Sequence, residues 1–273
     1  LSAKRCPKGF DLKHRAVRPG DLSHHGQGVL GSWTMDDHAA SFGRAATAYE
    51  RGRPPYPDAA LDWLLPERAT RIVDVGAGTG KLTRQIRARG LDVSAVEPSD
   101  GMRAELSRVL PGVPVMAGTA EDLPLPDRSA DAVLCAQAWH WVDPERAVPE
   151  VARVLAPGGR LGLIWNLRDE REDWVRRLGE IIDSPEMTRR SDFGTPFGPI
   201  ETRDFGWTHE IGRDRLLDLV ASRSAVILLG DDDRAALLDR VRELTATHPA
   251  LVGRDTFALP YVTQCARADL PQR

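Results

Sequence analysis

Residues 71 to 80 read Arg71-Ile72-Val73-Asp74-Val75-Gly76-Ala77-Gly78-Thr79-Gly80. The β-branched run ending at Val75 fits a short buried strand, and the glycines at alternate positions let the backbone turn tightly with no side chain between it and a ligand. Residues 82 to 88 then take helical spacing. Strand, glycine loop and helix in this order open an α/β fold that meets its ligand at the carboxyl end of the strand. Downstream the alternation repeats, with strands predicted at 92–97, 113–117, 130–136 and 160–165 and helices between them. That spacing implies right-handed crossovers and a mostly parallel sheet. The last third predicts a helix at 170–183, a glycine- and proline-rich stretch at 184–199, a strand at 201–211, helices at 214–222 and 232–246, and a final strand at 256–265, making seven strands.

Upstream of the loop, Ala39, Phe42, Ala45, Ala46 and Tyr49 recur at helical spacing, and Arg53-Pro54-Pro55-Tyr56-Pro57 breaks the pattern before a second helix through Trp63. Residues 1–34 hold three of the four lysines, together with His24 and His25, and show no apolar periodicity, so they read as a disordered extension ahead of a domain starting at Met35. The chain of 273 residues is 41% hydrophobic, enough for one large core. Its formal net charge of -3 supplies no global positive field for nucleic acid or anionic lipid. Cys6, Cys135 and Cys265 are odd in number and far apart, which fits neither a disulfide framework nor a metal site and points to a reducing, cytoplasmic setting. No apolar run approaches the roughly 20 residues of a membrane helix.

The loop's own spacing narrows the ligand. A dinucleotide fingerprint places its third glycine three residues after the second, whereas here Gly80 follows Gly78 by two; a phosphate loop ends Gly-Lys-Ser/Thr, whereas here Gly80-Lys81-Leu82 follows. Glu97 closes the next strand in Val96-Glu97-Pro98-Ser99. One ionised carboxylate can accept from both hydroxyls of a ribose diol.

These motifs, with Gly118-Thr119-Ala120-Glu121-Asp122-Leu123-Pro124, resemble the class I S-adenosylmethionine-dependent methyltransferases, in the small-molecule branch of trans-aconitate methyltransferase-like proteins, over residues 37 to 265. The resemblance implies a Rossmann-like seven-stranded sheet with helices on both faces and a reversed last strand. It implies that the loop of Asp74, Gly76, Ala77, Gly78 and Gly80 faces the methionine part of S-adenosylmethionine and that Glu97, followed by Pro98, holds the ribose. Met102 would pack on the adenine, Ala120 and Glu121 would border its amino edge, and Gln137 would approach the methionine moiety. Many relatives carry an aspartate where this chain has Thr119, so Thr119, Glu121 or backbone must replace that contact. Tyr49, Arg53 and Tyr56 would belong to lid helices at 37–65, Arg53 pairing with the methionine carboxylate; equally, the proline run simply ends one helix and starts another. A helical insertion is expected at about 170–199.

Ala136-Gln137-Ala138-Trp139-His140-Trp141 leaves the fourth strand at its carboxyl end. Either the two tryptophans wall an acceptor pocket and His140 meets a proton, or the tryptophans pack the next helix and His140 is scaffold. Trp165, Asn166 and Arg168 are further candidates to face the acceptor. The function expected is methyl transfer to an oxygen, nitrogen or carboxylate of a small molecule. The alternatives are a non-catalytic cofactor-binding protein and a nucleic-acid methyltransferase, the latter lacking both a basic face and an Asn-Pro-Pro-aromatic signature.

Overall fold

The computed structural model of the chain describes residues 52 to 182 and 193 to 272. Tyr49, the first lid helix and the 1–34 extension lie outside the described residues. The first strand, β1 (Arg71–Val75), is buried from Ile72 onward on both faces, as a central parallel strand must be. Its neighbours are β2 (Asp92–Val96) on one side and β4 (Ala130–Ala136) on the other, both parallel to it. Beyond β2 lies β3 (Val115–Met116), and beyond β4 lies β5 (Leu155–Arg168). The last strand, β7 (Thr256–Asp269), runs antiparallel between β5 and β6 (Glu201–Gly212), giving a seven-stranded sheet in the order β3-β2-β1-β4-β5-β7-β6. The chain leaves β1 for one side and returns to β4 on the other. That reversal opens a crevice at the carboxyl ends of β1 and β4.

Strand residues alternate between two cores. Ile72, Ala132, Leu134 and Ile164 pack beneath α1 (Asp58–Leu64) and α2 (Lys81–Ala88). Val73, Val75, Val133, Leu161 and Leu163 pack on the other face against Val148, Val151 and Val154 of α4 (Pro144–Val154). The helix between β2 and β3, α3 (Asp100–Val109), buries Leu106 beside Ala95.

A separate cluster joins α5 (Asp173–Ile182), α6 (Arg213–Ala221), α7 (Ser224–Ile227) and α8 (Asp231–Thr247) to the inward residues Phe257, Leu259 and Tyr261 of β7. Of the range 170–199, α5 is the helical part among the described residues, while Phe193 and Phe197 enter the main core. No helix among the described residues is long and apolar enough to cross a membrane.

Three strands differ from the sequence reading by more than one residue in extent. β3 is an edge strand only two residues long, because Pro114 can accept from Ala95 N–H but has no N–H to extend the ladder. β5 starts at Leu155 because Leu155 pairs with Ala130 across a register shift, with Gly158 at φ +75° absorbing the irregularity in Ala156-Pro157-Gly158-Gly159. β7 continues to Asp269, whose carboxylate accepts from Arg160 Nε at 2.6 Å.

Candidate active site

The glycine loop turns through the left-handed region at Gly76, Gly78 and Gly80, with φ of 67°, 56° and 87°. Gly76 and Ala77 both donate N–H to Val96 O, at 2.8 and 3.2 Å, so the loop is fastened to the end of β2. A Cβ at Gly76 would lie 2.7 Å from Ala138 Cβ, and one at Gly80 would meet Leu106 of α3 and its C-cap Leu110 at 2.9 Å. The two glycines therefore do different work. Gly76 permits the close approach of the loop to the segment after β4, whereas Gly80 permits α2 to pack on α3.

Gly76 and Gly78 border an open cleft of about 870 Å³, counting its solvent-filled mouth. Its walls bring together most residues singled out from sequence: Glu97, Pro98 and Met102 after β2, Thr119, Ala120 and Glu121 after β3, and Gln137 after β4. Three others stand back from it. Asp74 lies fully buried beneath the loop, where its Oδ2 accepts from Thr83 Oγ1 at 2.6 Å. Ala77 is buried and Gly80 is the N-cap of α2, and neither is among the walls of the cleft.

Glu97 is 7% exposed. Its Oε2 accepts from Gly78 N–H and its Oε1 from Ser99 N–H, both at 2.9 Å. Arg103 Nη1 donates to Glu97 O and Pro98 O at 2.8 Å, fixing the turn that carries the carboxylate. Burial raises the Glu97 carboxyl above its ordinary range, opposed by those two N–H groups and by Arg103. Each oxygen has spent one lone pair and keeps another, the arrangement that a vicinal diol needs.

At the far wall, Thr119 and Asp122 exchange backbone hydrogen bonds at 3.3 Å, and Glu121 Oε1 accepts from Asp143 N–H at 2.8 Å. Gln137 has φ +60°, an uncommon conformation for a residue with a Cβ and one that recurs at ligand sites. Its N–H donates to Ile164 O at 3.0 Å and its Nε2 to Asn166 O at 3.2 Å, so both backbone and side chain are tied to β5.

The Trp-His-Trp segment forms one turn of 3₁₀ helix, Trp139–Trp141, whose successive residues point in three directions. Trp139 enters the core against Phe193 and Trp141 borders the cleft. Neither sequence reading holds for both tryptophans. His140 borders no described cavity; its ring lies 4.6 Å from that of Trp141, and among the described residues its buried Nδ1 has no hydrogen-bond partner. Burial pushes its pKa down to about 4, so the ring is neutral at physiological pH.

A second, smaller cavity shares Gln137 and is bordered by Arg53, Tyr56, Lys81, Asn166, Arg223 and Tyr261. Arg53 donates through Nε and Nη2 to the hydroxyl and carbonyl of Ser222, each at 3.1 Å. Trp207 Nε1 donates to Thr263 Oγ1 at 2.7 Å, Thr263 to Asn166 Oδ1 at 2.6 Å, and Asn166 Nδ2 to Pro55 O at 2.9 Å. This chain of bonds secures the proline run to the last strands. Trp165 instead faces the core. Cys135 and Val142 in the first cavity, and Leu219, Arg223 and Tyr261 in the second, had no local signal in the sequence, whereas Ser99 belongs to the quoted Val96-Glu97-Pro98-Ser99 turn.

Residues 73–163 match the family model described as a methyltransferase domain. The chain is 56% identical over 236 residues to an uncharacterized methyltransferase of Mycobacterium tuberculosis (strain H37Rv), covering 86% of this chain and 97% of that one. It is 33% identical over 229 residues to an uncharacterized methyltransferase-like protein of Schizosaccharomyces pombe, covering 79% and 90%. Among solved structures, a methyltransferase fold from Anaeromyxobacter dehalogenans aligns with a TM-score of 0.61 at 24% identity, covering 81% of this chain and 99% of that one.

Proposed function

The chain belongs to the S-adenosylmethionine-dependent methyltransferases, and from that premise we propose that its larger cleft holds the cofactor and that the methyl group passes to an oxygen, nitrogen or carboxylate of a small molecule. The observation that carries this reading is Glu97, a nearly buried carboxylate held by two backbone N–H groups with one lone pair left on each oxygen. Gly76 and Gly78 offer backbone without side chains along the same wall, and Met102 and Val142 offer apolar surface for a flat heterocycle. The residues present thus suit a nucleoside with a ribose diol.

The bound cofactor supplies a sulfonium methyl group already activated for displacement, so the protein's task is alignment and exclusion of water. Gln137, locked to β5, stands where the two cavities meet and would orient the reacting ends. His140 is scaffold in this reading, since it borders neither cavity and is neutral. A small acceptor is favoured over nucleic acid by the net charge of -3.

Calorimetric titration with S-adenosylmethionine and, separately, NAD tests the proposal. Micromolar binding of S-adenosylmethionine should weaken about ten-fold or more in Glu97→Ala, or about 1.4 kcal/mol. Failure to bind it, or a preference for NAD, would overturn the reading.

A further inference from the structure

Among the described residues, Gln137 alone borders both cavities, and its amide can face them in only one orientation. Nε2 donates to Asn166 O at 3.2 Å. A backbone carbonyl only accepts, so turning the amide over would set two oxygens against each other. The nitrogen is therefore held on Asn166, and Oε1 is left for whatever occupies the junction. That oxygen accepts no hydrogen bond among the described residues, yet it is not sealed inside the protein. The backbone beneath it is equally fixed. Gln137 keeps φ +60° while its N–H donates to Ile164 O at 3.0 Å, and the Asn166 side chain is tied to Thr263 and Pro55. An uncommon conformation held by bonds on two sides thus sets one acceptor oxygen in place before any ligand arrives.

An accepting oxygen at the point of transfer discriminates among methyl acceptors. An ionised carboxylate has no proton to offer it, and the two sets of lone pairs repel. A hydroxyl can donate, but it must lose that proton when its oxygen is methylated, and an amide cannot take the proton up; His140 borders neither cavity. An uncharged amine meets both demands, because one N–H donates to Oε1 while the lone pair faces the methyl group. We propose that Gln137 Oε1 receives an N–H of the methyl acceptor and that the acceptor atom is the nitrogen of a primary or secondary amine. The nitrogen lone pair forms the N–C bond, the S–C bonding pair returns to sulfur, and the positive charge passes from the sulfonium to the nitrogen. The N–H···O bond strengthens as that charge develops, so it favours the transition state over the ground state. The extra proton on the product leaves to water afterwards. The inference rests on the larger cleft being the cofactor site, for Gln137 then stands beside the methyl donor.

The test uses the full chain saturated with S-adenosylhomocysteine and titrated near neutral pH with aniline, with toluene as its isostere lacking the N–H, and with benzoate. Aniline should bind about ten-fold or more tightly than either of the others. Equal affinities, or no saturable binding of aniline, overturn the proposal. In Gln137→Met the preference for aniline should shrink to about two-fold or less, while Tm and S-adenosylhomocysteine affinity stay close to those of the wild type. A preference that survives the substitution overturns the role of Oε1. So does a loss of S-adenosylhomocysteine affinity at unchanged Tm, which would assign Oε1 to the cofactor's own ammonium group. Product identity gives a second reading that needs no variant: tyramine, with an amine and a phenol on one molecule, is incubated with S-adenosylmethionine at about pH 8.5, where part of the amine is uncharged. N-methyltyramine is expected, and either the O-methyl product or no methylated product overturns transfer to nitrogen. Preferential binding of aniline by a protein that takes up no S-adenosylhomocysteine would sink the reading of the larger cleft and leave the Gln137 contact standing.

Discussion

Replacing Asp74 with asparagine should flatten the dependence of stability on pH. Complete burial pushes the Asp74 carboxyl from 3.8 to about 7, opposed by the Thr83 hydroxyl and reinforced by Glu97. The folded state therefore holds a proton that the unfolded chain has released across this range. Stability from this group is fully present below about pH 4 and is lost as pH rises to about 7, after which it levels. At about 1.4 kcal/mol per pH unit the loss is at most roughly 4 kcal/mol. For a chain of this size that corresponds to a fall in Tm of at most roughly 8 to 16 °C as pH rises from about 4 to 8. Asparagine keeps an acceptor for Thr83 but cannot ionise. It leaves its amide where Oδ1 has no partner among the described residues, a pH-independent cost of about 1–3 kcal/mol. The slopes are therefore the quantity to compare, by thermal melts across that range. Wild type should fall at least twice as steeply as the variant; parallel slopes would refute the assignment of a protonated Asp74.

Gly90 and Gly76 share a left-handed backbone, but a Cβ at Gly90 meets nothing within 4 Å whereas one at Gly76 meets Ala138. Gly90→Ala should cost about 1–2 kcal/mol in urea unfolding and Gly76→Ala about 1–3 kcal/mol more; equal costs would mean that the Ala138 contact constrains nothing. The His140 imidazole should stay neutral down to about pH 5 in NMR titration, and a midpoint near 6.5 would show that burial does not govern it. Thr263→Val leaves Trp207 Nε1 and Asn166 Oδ1 without their partner, so it should destabilise the fold by about 2–4 kcal/mol in chemical denaturation, and a neutral effect would remove the bond chain from the account of the second cavity.

The sequence discloses local features and hides convergent ones. The loop and β1 are readable because ten consecutive residues carry the whole signal. Glu97 is readable because it directly follows the next strand, β2, which pairs beside β1. Asp74 misleads, since a strand buried on both faces gives no alternation to distinguish a residue under the loop from one facing the cleft. Trp139 and Trp141 mislead for a different reason: the chain closes there into a 3₁₀ turn, and two residues of the same type two apart end on opposite sides of the backbone. The smaller cavity was legible at Arg53, Tyr56, Gln137 and Asn166. Three further walls, Leu219, Arg223 and Tyr261, come from a helix end and a strand more than 160 residues away in the chain from Arg53, and no spacing rule connects them.

The position of β7 between β5 and β6 also orders events on the ribosome. Among the described residues, 75 to 142 supply the walls of the larger cavity, so that part of the nascent chain has emerged long before β7 is translated. The smaller cavity waits for Tyr261, and its supporting bonds wait for Thr263. Since domains are released amino end first, the described walls of the larger cavity have all been made before those of its neighbour. A transcript cut short before residue 256 would leave β5 without its antiparallel partner, exposing a long apolar edge that invites pairing with other chains. Late truncations should thus yield aggregates rather than a smaller protein that merely lacks its second cavity.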